Sequence, residues 1–326
     1  MAKLTMVKAI NLALHQQMER DDDVLILGED VGVDEGVFRV TEGLLQKFGE
    51  QRVIDTPLAE GAIVGSAIGM ALYGLKPVAE IQFSGFSFQA FHQIENHAAR
   101  YRQRSQGRYH CQLVIRMPYG GGVRALEFHS ESEEAYYAHI PGIKIVIPSG
   151  PRSARALLVS AILDPDPVLF FEPKALYHAF KEEVPEEVES FPIGQAQVAR
   201  EGNDLTLIAY GAMLRRAQEA AERLQAEDGV SVEVIDLLSI SPLDSETVAA
   251  SVRKTGRAVI AHEAQRTCGV GAEVASRIVE KAFLSLEAPI RRVTAPDVVF
   301  PGFARERGWL PDADRIVWAA RETLRF

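Results

Sequence analysis

Short apolar runs alternate with stretches of helical periodicity along the whole chain, the pattern of parallel sheets covered by helices. Val24-Leu-Ile-Leu-Gly28, Pro77-Val-Ala-Glu-Ile-Gln-Phe83, Gln112-Leu-Val-Ile-Arg116, Lys144-Ile-Val-Ile-Pro148 and Pro167-Val-Leu-Phe-Phe-Glu172 predict strands. Leu205–Gly211, Val230–Asp236, Ala258–His262 and Ile290–Val293 repeat the signal, with helices predicted near 213–227, 243–254 and 270–285. Pro151 opens a further helix in the first turn, where its missing N–H is harmless. Ala154, Leu157, Leu158 and Ile162 then mark one buried face as far as Asp164. The stretch Lys181-Glu-Glu-Val-Pro-Glu-Glu-Val-Glu-Ser190 is acidic, holds a proline and lacks a hydrophobic period. It divides the chain into a first domain over 1–180, a linker over 181–198 and a smaller domain over 199–326. The expected fold class is therefore α/β, two domains, each a mainly parallel sheet flanked by helices.

One helix stands apart. From Gly61 to Gly74 the residues are apolar or small all round, which predicts a helix buried on every side, and Glu60 sits at its mouth. A carboxylate taken out of water needs a partner, or its pKa rises toward neutrality. Both outcomes suit a group that handles protons.

The 326 residues are 47% hydrophobic and 25% charged, as in ordinary globular proteins. The net charge of -10 argues against nucleic acid or an anionic membrane as the main partner. Two cysteines, Cys111 and Cys268, cannot build a metal site alone and fit a reducing compartment. The N-terminus passes directly into helical periodicity without a signal-peptide core, so a cytoplasmic location is expected.

Several motifs invite chemistry. Gly120-Gly-Gly122 follows a strand but lacks both phosphate-loop spacings, and reads as a close-packed turn; Gly269-Val-Gly271 reads as a helix start. His129 follows in Glu127-Phe-His-Ser-Glu-Ser132, where Ser130 and Glu133 have capping-box spacing. Read alone it is a loop histidine; at the carboxyl end of a strand, with Glu60, it becomes a candidate acid or base. Phe83, Phe86, Phe88 and Phe91 cluster around Ser84 and Gly85, with Gln89 and His92 among them. An apolar plate and a nearby carboxylate together suit a flat heteroaromatic ligand. His262-Glu263 reads as a domain or subunit contact, and Asp164-Pro-Asp-Pro167 as a turn whose oxygens could hold a hard cation.

With these residues in view, the chain resembles the β subunits of the thiamine diphosphate-dependent decarboxylating component of 2-oxo acid dehydrogenase complexes, the pyruvate and branched-chain group of the transketolase-like superfamily. The resemblance runs along the whole chain. It rests on Gly28-Glu-Asp-Val-Gly32, Gly36-Val-Phe-Arg39, Thr41-Glu-Gly43, Asp55-Thr-Pro-Leu-Ala-Glu60, Glu80-Ile-Gln-Phe83, His129-Ser130, Pro141-Gly-Ile-Lys144, Phe171-Glu-Pro-Lys174, Tyr210-Gly211 and Lys254-Thr-Gly256. His92, Ala59 and Glu131 depart from the commonest family residues.

The resemblance implies a pyrimidine-binding fold followed by a transketolase C-terminal-like domain. It implies that Glu60 hydrogen-bonds the cofactor's aminopyrimidine, that Leu58, Phe86 and Gln89 line it, and that His129 serves the substrate and the passage of the acyl group to lipoamide. Leu113, Ala161, Ile162, Asp164 and Asp166 match a potassium site held largely by backbone carbonyls. Gly-Asp-Gly, the start of the family's Mg2+ and diphosphate motif, occurs nowhere in the chain. The resemblance therefore implies an α subunit that ligates Mg2+, an α2β2 heterotetramer, and a dihydrolipoyl acyltransferase core with its lipoyl domain as the next partner. Pyruvate and branched-chain 2-oxo acids both remain open as substrate. Two other readings are a non-catalytic assembly module and a transketolase-like enzyme.

Overall fold

A computed structural model describes residues 2–326. By contact the chain divides into two units. The first runs to Tyr119 and resumes over Tyr136–Ile193; the second comprises Gly120–Ala135 and Gly194–Phe326.

The first unit holds strands β1 (Ala2–Leu4), β2 (Val24–Gly28), β3 (Val53–Asp55), β4 (Lys76–Glu80), β5 (Val114–Tyr119), β6 (Lys144–Val146), β7 (Val168–Pro173) and β8 (Glu182–Val184). Its helices are α1 (Met6–Arg20), α2 (Leu44–Phe48), α3 (Glu60–Tyr73), α4 (Phe91–Asn96), α5 (Tyr101–Arg104), α6 (Glu134–Ala138), whose first two residues belong to the second unit, and α7 (Pro151–Leu163). Six strands form its main sheet in the order β6-β7-β5-β4-β2-β3, all parallel. β2, β5 and β7 are buried from end to end, as a sheet covered on both faces requires. Thr5 caps α1 by accepting the Lys8 N–H, and α1 packs along α7. β8, inside the stretch read as a linker, pairs antiparallel with β1.

In strand order, the chain leaves β2 toward β3 on one side and leaves β4 toward β5 on the other. Adjacent parallel strands whose connections diverge open a crevice beyond their carboxyl ends, where α/β proteins bind ligands. Here that crevice is bordered by the residues after Gly28, after Asp55 and after Glu80.

The second unit holds β9 (Gln197–Arg200), β10 (Leu205–Ala209), β11 (Val232–Asp236), β12 (Ser239–Ser241), β13 (Ala258–Gln265) and β14 (Arg291–Ala295). Its helices are α8 (Met213–Asp228), α9 (Ser245–Thr255), α10 (Val270–Ala282), α11 (Glu306–Trp309) and α12 (Ala313–Thr323). The sheet order is β14-β13-β10-β11-β9, parallel except for edge strand β9. Alternate residues Leu205, Leu207, Ala209, Val232, Val234, Val259 and Ala261 pack with α8 and α12 in one core. From the opposite face Thr206 Oγ1 meets Ser251 and Thr255 of α9, each at 2.7 Å. Period-two alternation thus dresses both faces, one with a greasy helix pair and one with hydroxyls. Among the described residues no helix is long and apolar enough to cross a membrane.

One sequence expectation changes. Helix α3 is not buried on every side: Ile63, Val64, Ala67, Ile68 and Ala71 face inward, whereas Ala62, Gly65, Ser66, Gly69 and Tyr73 are exposed. Small residues score as apolar yet lose little by facing water, so composition overstated the burial.

Candidate functional site

Glu60 is the first residue of α3, behind Ala59, which offers no side-chain cap. Only 7% of it is exposed, and its carboxylate makes no hydrogen bond or ion pair with any other described residue. The helix dipole favours an anion at this position. Glu29, just past β2, is near enough to feel that charge: burial first, then Asp30 and Glu60, push its carboxyl above the usual range. Three carboxyl groups thus gather at the divergent strand ends, a negative patch that attracts a cationic or proton-sharing ligand.

The loop after β2 is fixed by its neighbours. Asp55 accepts the N–H groups of Gly32 at 2.6 Å and Val33 at 3.0 Å, and a Cβ on Gly32 would lie 2.7 Å from Asp55 Oδ2. Gln82 donates to Asp30 at 3.1 Å, and the Thr41 hydroxyl donates to the Val31 carbonyl at 2.7 Å. The segments Gly28–Gly32, Thr41, Asp55 and Gln82, far apart in sequence, therefore form one hydrogen-bonded frame beside Glu60.

On the other side, Ser84–Ala90 forms a 3-10 helix packed on α3. The approach is close: a Cβ on Gly61 would lie 3.1 Å from the Gln89 carbonyl oxygen. Glu60 and the Gln89 backbone are thereby neighbours. Phe86 is half-buried, while Leu58 and Gln89 are exposed, Leu58 at 71%. The four phenylalanines divide. Phe83 and Phe86 meet edge to face at 5.5 Å and continue through Phe38 to Tyr177. Phe88 and Phe91 turn toward Tyr136 and Tyr137. Lys174 lies 5.8 Å over the Phe83 ring, a cation–π contact the sequence did not signal.

A second feature escaped sequence reading. Arg116 of β5, 1% exposed, binds Glu80 at 2.6 Å and Glu172 at 2.7 and 3.0 Å, and the Tyr177 hydroxyl donates to Glu172 at 2.5 Å. The register that sets β4, β5 and β7 side by side creates this buried network, which local sequence could not reveal.

His129 belongs to the second unit, in the 3-10 turn Glu127–His129, half-buried beside Phe128. Helix α6 starts at Glu134, so Ser130 and Glu133 precede it and make no capping box. His262 is fully buried within the second unit, stacked on Tyr210 at 6.1 Å and 11°, so it is no subunit contact. Burial, with the Arg292 charge, pulls it down to about 4. Gly269 does begin α10, and Cβ atoms on Gly269 or Gly271 would lie 2.7 and 2.6 Å from the His262 ring.

The residues matched to a potassium site meet in one corner of the first unit. The carbonyls of Leu113, Ala161 and Ile162 accept from Val168 N–H, Asp164 N–H and Gln112 Nε2 at 2.9, 3.4 and 2.7 Å. Lys144 holds Asp164 at 2.6 Å, and Arg102 holds Asp166 at 2.5 Å. With both carboxylates neutralised, a divalent ion gains little there, whereas each carbonyl keeps a second lone pair for a monovalent ion. Among the described residues no three His, Cys, Asp or Glu side chains converge as a metal site.

Comparison with known proteins agrees with this architecture. Residues 2–179 match the transketolase pyrimidine-binding domain and 194–316 the transketolase C-terminal domain. The pyruvate dehydrogenase E1 component β subunits of Staphylococcus epidermidis and Staphylococcus aureus are each 53% identical over 326 residues, all of both chains. A solved structure titled split gene transketolase, inactive beta4 tetramer, superposes with a TM-score of 0.81 at 25% identity, covering 99% of each chain. The chain therefore belongs to the transketolase-like family of thiamine enzymes, among the relatives of the pyruvate dehydrogenase E1 β subunits.

Proposed function

We propose that the chain is the β subunit of a pyruvate dehydrogenase decarboxylating component, working with an α subunit that completes the cofactor site. The observation that carries this reading is the Glu60 carboxylate, shielded at a helix start and bonded to no other described residue. That donor set suits an aminopyrimidine: an acceptor for a ring nitrogen, the Gln89 backbone beside it, and Phe86 and Leu58 as apolar cover. Thiamine diphosphate held by Glu60, Phe86, Leu58 and the Gln89 backbone would supply the nucleophile and electron sink that decarboxylation of a 2-oxo acid requires. Glu60 shares a proton between its carboxylate and the ring nitrogen, and its shielding strengthens the exchange. The frame of Gly32, Asp55, Thr41 and Gln82 holds the rim against which the ligand lies.

His129 serves as acid or base in passing the acyl group to a lipoyl group on the acyltransferase core. The α subunit contributes the diphosphate and Mg2+ site, which fits the missing Gly-Asp-Gly motif, and the assembly is an α2β2 heterotetramer. The carbonyls of Leu113, Ala161 and Ile162, with Asp164 and Asp166, take potassium. The names of the relatives at 53% identity favour pyruvate over branched-chain 2-oxo acids.

The test is Glu60→Gln in the protein purified with its α subunit. Assembly persists, and decarboxylation falls by about 10² to 10⁴, the worth of a positioned acid–base group. Full decarboxylation by the variant would instead make the chain an assembly module. For the substrate, kcat/KM on pyruvate exceeds that on 2-oxoisovalerate by about tenfold or more, as pocket volume discriminates.

A further inference from the structure

The segment that carries His129 is an inserted loop with almost no secondary structure of its own. It leaves β5 after Tyr119, and the Gly120 N–H donates to the Glu131 carbonyl at 2.9 Å, closing residues 120–131 into an Ω-loop. A loop of this kind must have its backbone groups satisfied by something else. At its start the Gly121 N–H donates to the Glu263 carboxylate, and Gly122 and Arg124 donate to Glu306 Oε1 at 2.6 and 3.4 Å. Just past its end, Tyr210 donates its hydroxyl to Glu134 at 2.7 Å.

All four anchors are buried: Glu263 is 5% exposed, Glu306 3%, Glu134 0% and Tyr210 2%. The stretch between them, Gly122 to His129, is exposed or half-buried throughout. Gly120 and Gly122 have φ values of +79° and +93°, and a Cβ on Gly120 would lie 2.8 Å from Glu263 Oε1. The glycines therefore let the backbone reach the carboxylates. Tyr210 is itself held, its ring stacked on His262 against the α10 start.

We propose that Glu263, Glu306 and the Tyr210–Glu134 pair are positioning residues that clamp the Gly120–Glu131 loop at both ends and so fix where His129 is presented. The clamp serves acyl transfer, and in that respect it rests on the role proposed for His129. Loss of one anchor leaves the fold of the second unit intact but lets the histidine wander, and a displacement near 1 Å costs a positioned group up to about a hundredfold.

The experiment uses the protein purified with its α subunit, carrying Glu306→Ala, Glu306→Gln, Tyr210→Phe or His129→Ala. Two activities are compared: decarboxylation with an external dye as electron acceptor, and acylation of a free lipoyl domain. For Glu306→Ala and Tyr210→Phe, lipoyl acylation falls about tenfold or more while dye-coupled turnover changes less than about threefold. Glu306→Gln, which keeps an acceptor oxygen, restores most of the loss. Hydrogen exchange gives a readout independent of activity: the Gly121, Gly122 and Arg124 amides exchange about tenfold faster in Glu306→Ala than in wild type. Unchanged exchange, or equal loss of both activities without rescue by Gln, overturns the clamp. If exchange accelerates but His129→Ala acylates lipoyl groups normally, the clamp stands and the role assigned to His129 fails.

Discussion

Replacing Arg116 by Met should cost about 3–5 kcal/mol, the range for removing one partner of a buried ion pair. The structure explains why the upper part of that range applies. Arg116, Glu80 and Glu172 have side-chain exposures of 1%, 5% and 0%, so water cannot take over from the guanidinium. The substitution deletes three charge-assisted hydrogen bonds and raises the local charge from -1 to -2. Burial already pushes the Glu80 carboxyl up, and Arg116 pulls it back down. Without the arginine one carboxyl is driven to hold a proton. A carboxyl with a raised folded-state pKa contributes its stability below its unfolded value and loses it as pH rises through the folded one. The deficit should therefore be smaller at pH 5 than at pH 8. Urea unfolding at both values, followed by the near-ultraviolet signal, measures it. A deficit under about 1 kcal/mol, or one independent of pH, would refute the reasoning. The fourfold variant Glu80→Leu/Arg116→Met/Glu172→Leu/Tyr177→Phe leaves no orphaned polar group and should recover most of the loss.

His262 gives a second pH dependence with the opposite sign. Its folded-state value near 4 lies below the ordinary 6.5, so the unfolded chain binds more protons between them and stability falls as pH drops through that window, by about 3 kcal/mol in all. His262→Gln should flatten the slope of urea stability between pH 6.5 and 4; an unchanged slope would count against it. Gly32→Ala should displace the Asp55 carboxylate and lose two hydrogen bonds, about 1–3 kcal/mol, visible as faster exchange of the Val33 amide. Potassium should raise the melting temperature above that in N-methylglucamine buffer at equal ionic strength, following the logarithm of its concentration. No potassium-specific rise would remove the cation from the corner at Asp164.

The α/β character, most strands and the main helices follow from local sequence, because burial between helix layers demands apolar runs and amphipathic helices demand periodicity. The helix from Glu60 to Tyr73 and the strand Val24–Gly28 are such cases. Short strands such as Val53–Asp55 and Glu182–Val184 escaped, since three residues carry no period and are extended only because a partner strand pairs them. Glu60 was legible because a charge at the head of an apolar run is conspicuous, and the Phe83–Gln89 cluster by its composition. Their proximity was not, because Gly61 against the Gln89 carbonyl is a contact between elements. The Arg116 network and the anchoring of the Gly120–Glu131 loop were equally hidden: Glu80, Arg116 and Glu172 are ordinary residues until strand register aligns them, and Glu263 and Glu306 lie 142 and 184 positions from the glycines they bind. What the sequence by itself determined is which residues must be buried and which carry chemistry; which of those residues share a site was decided by tertiary structure, because strand order and loop docking depend on contacts that no local pattern encodes.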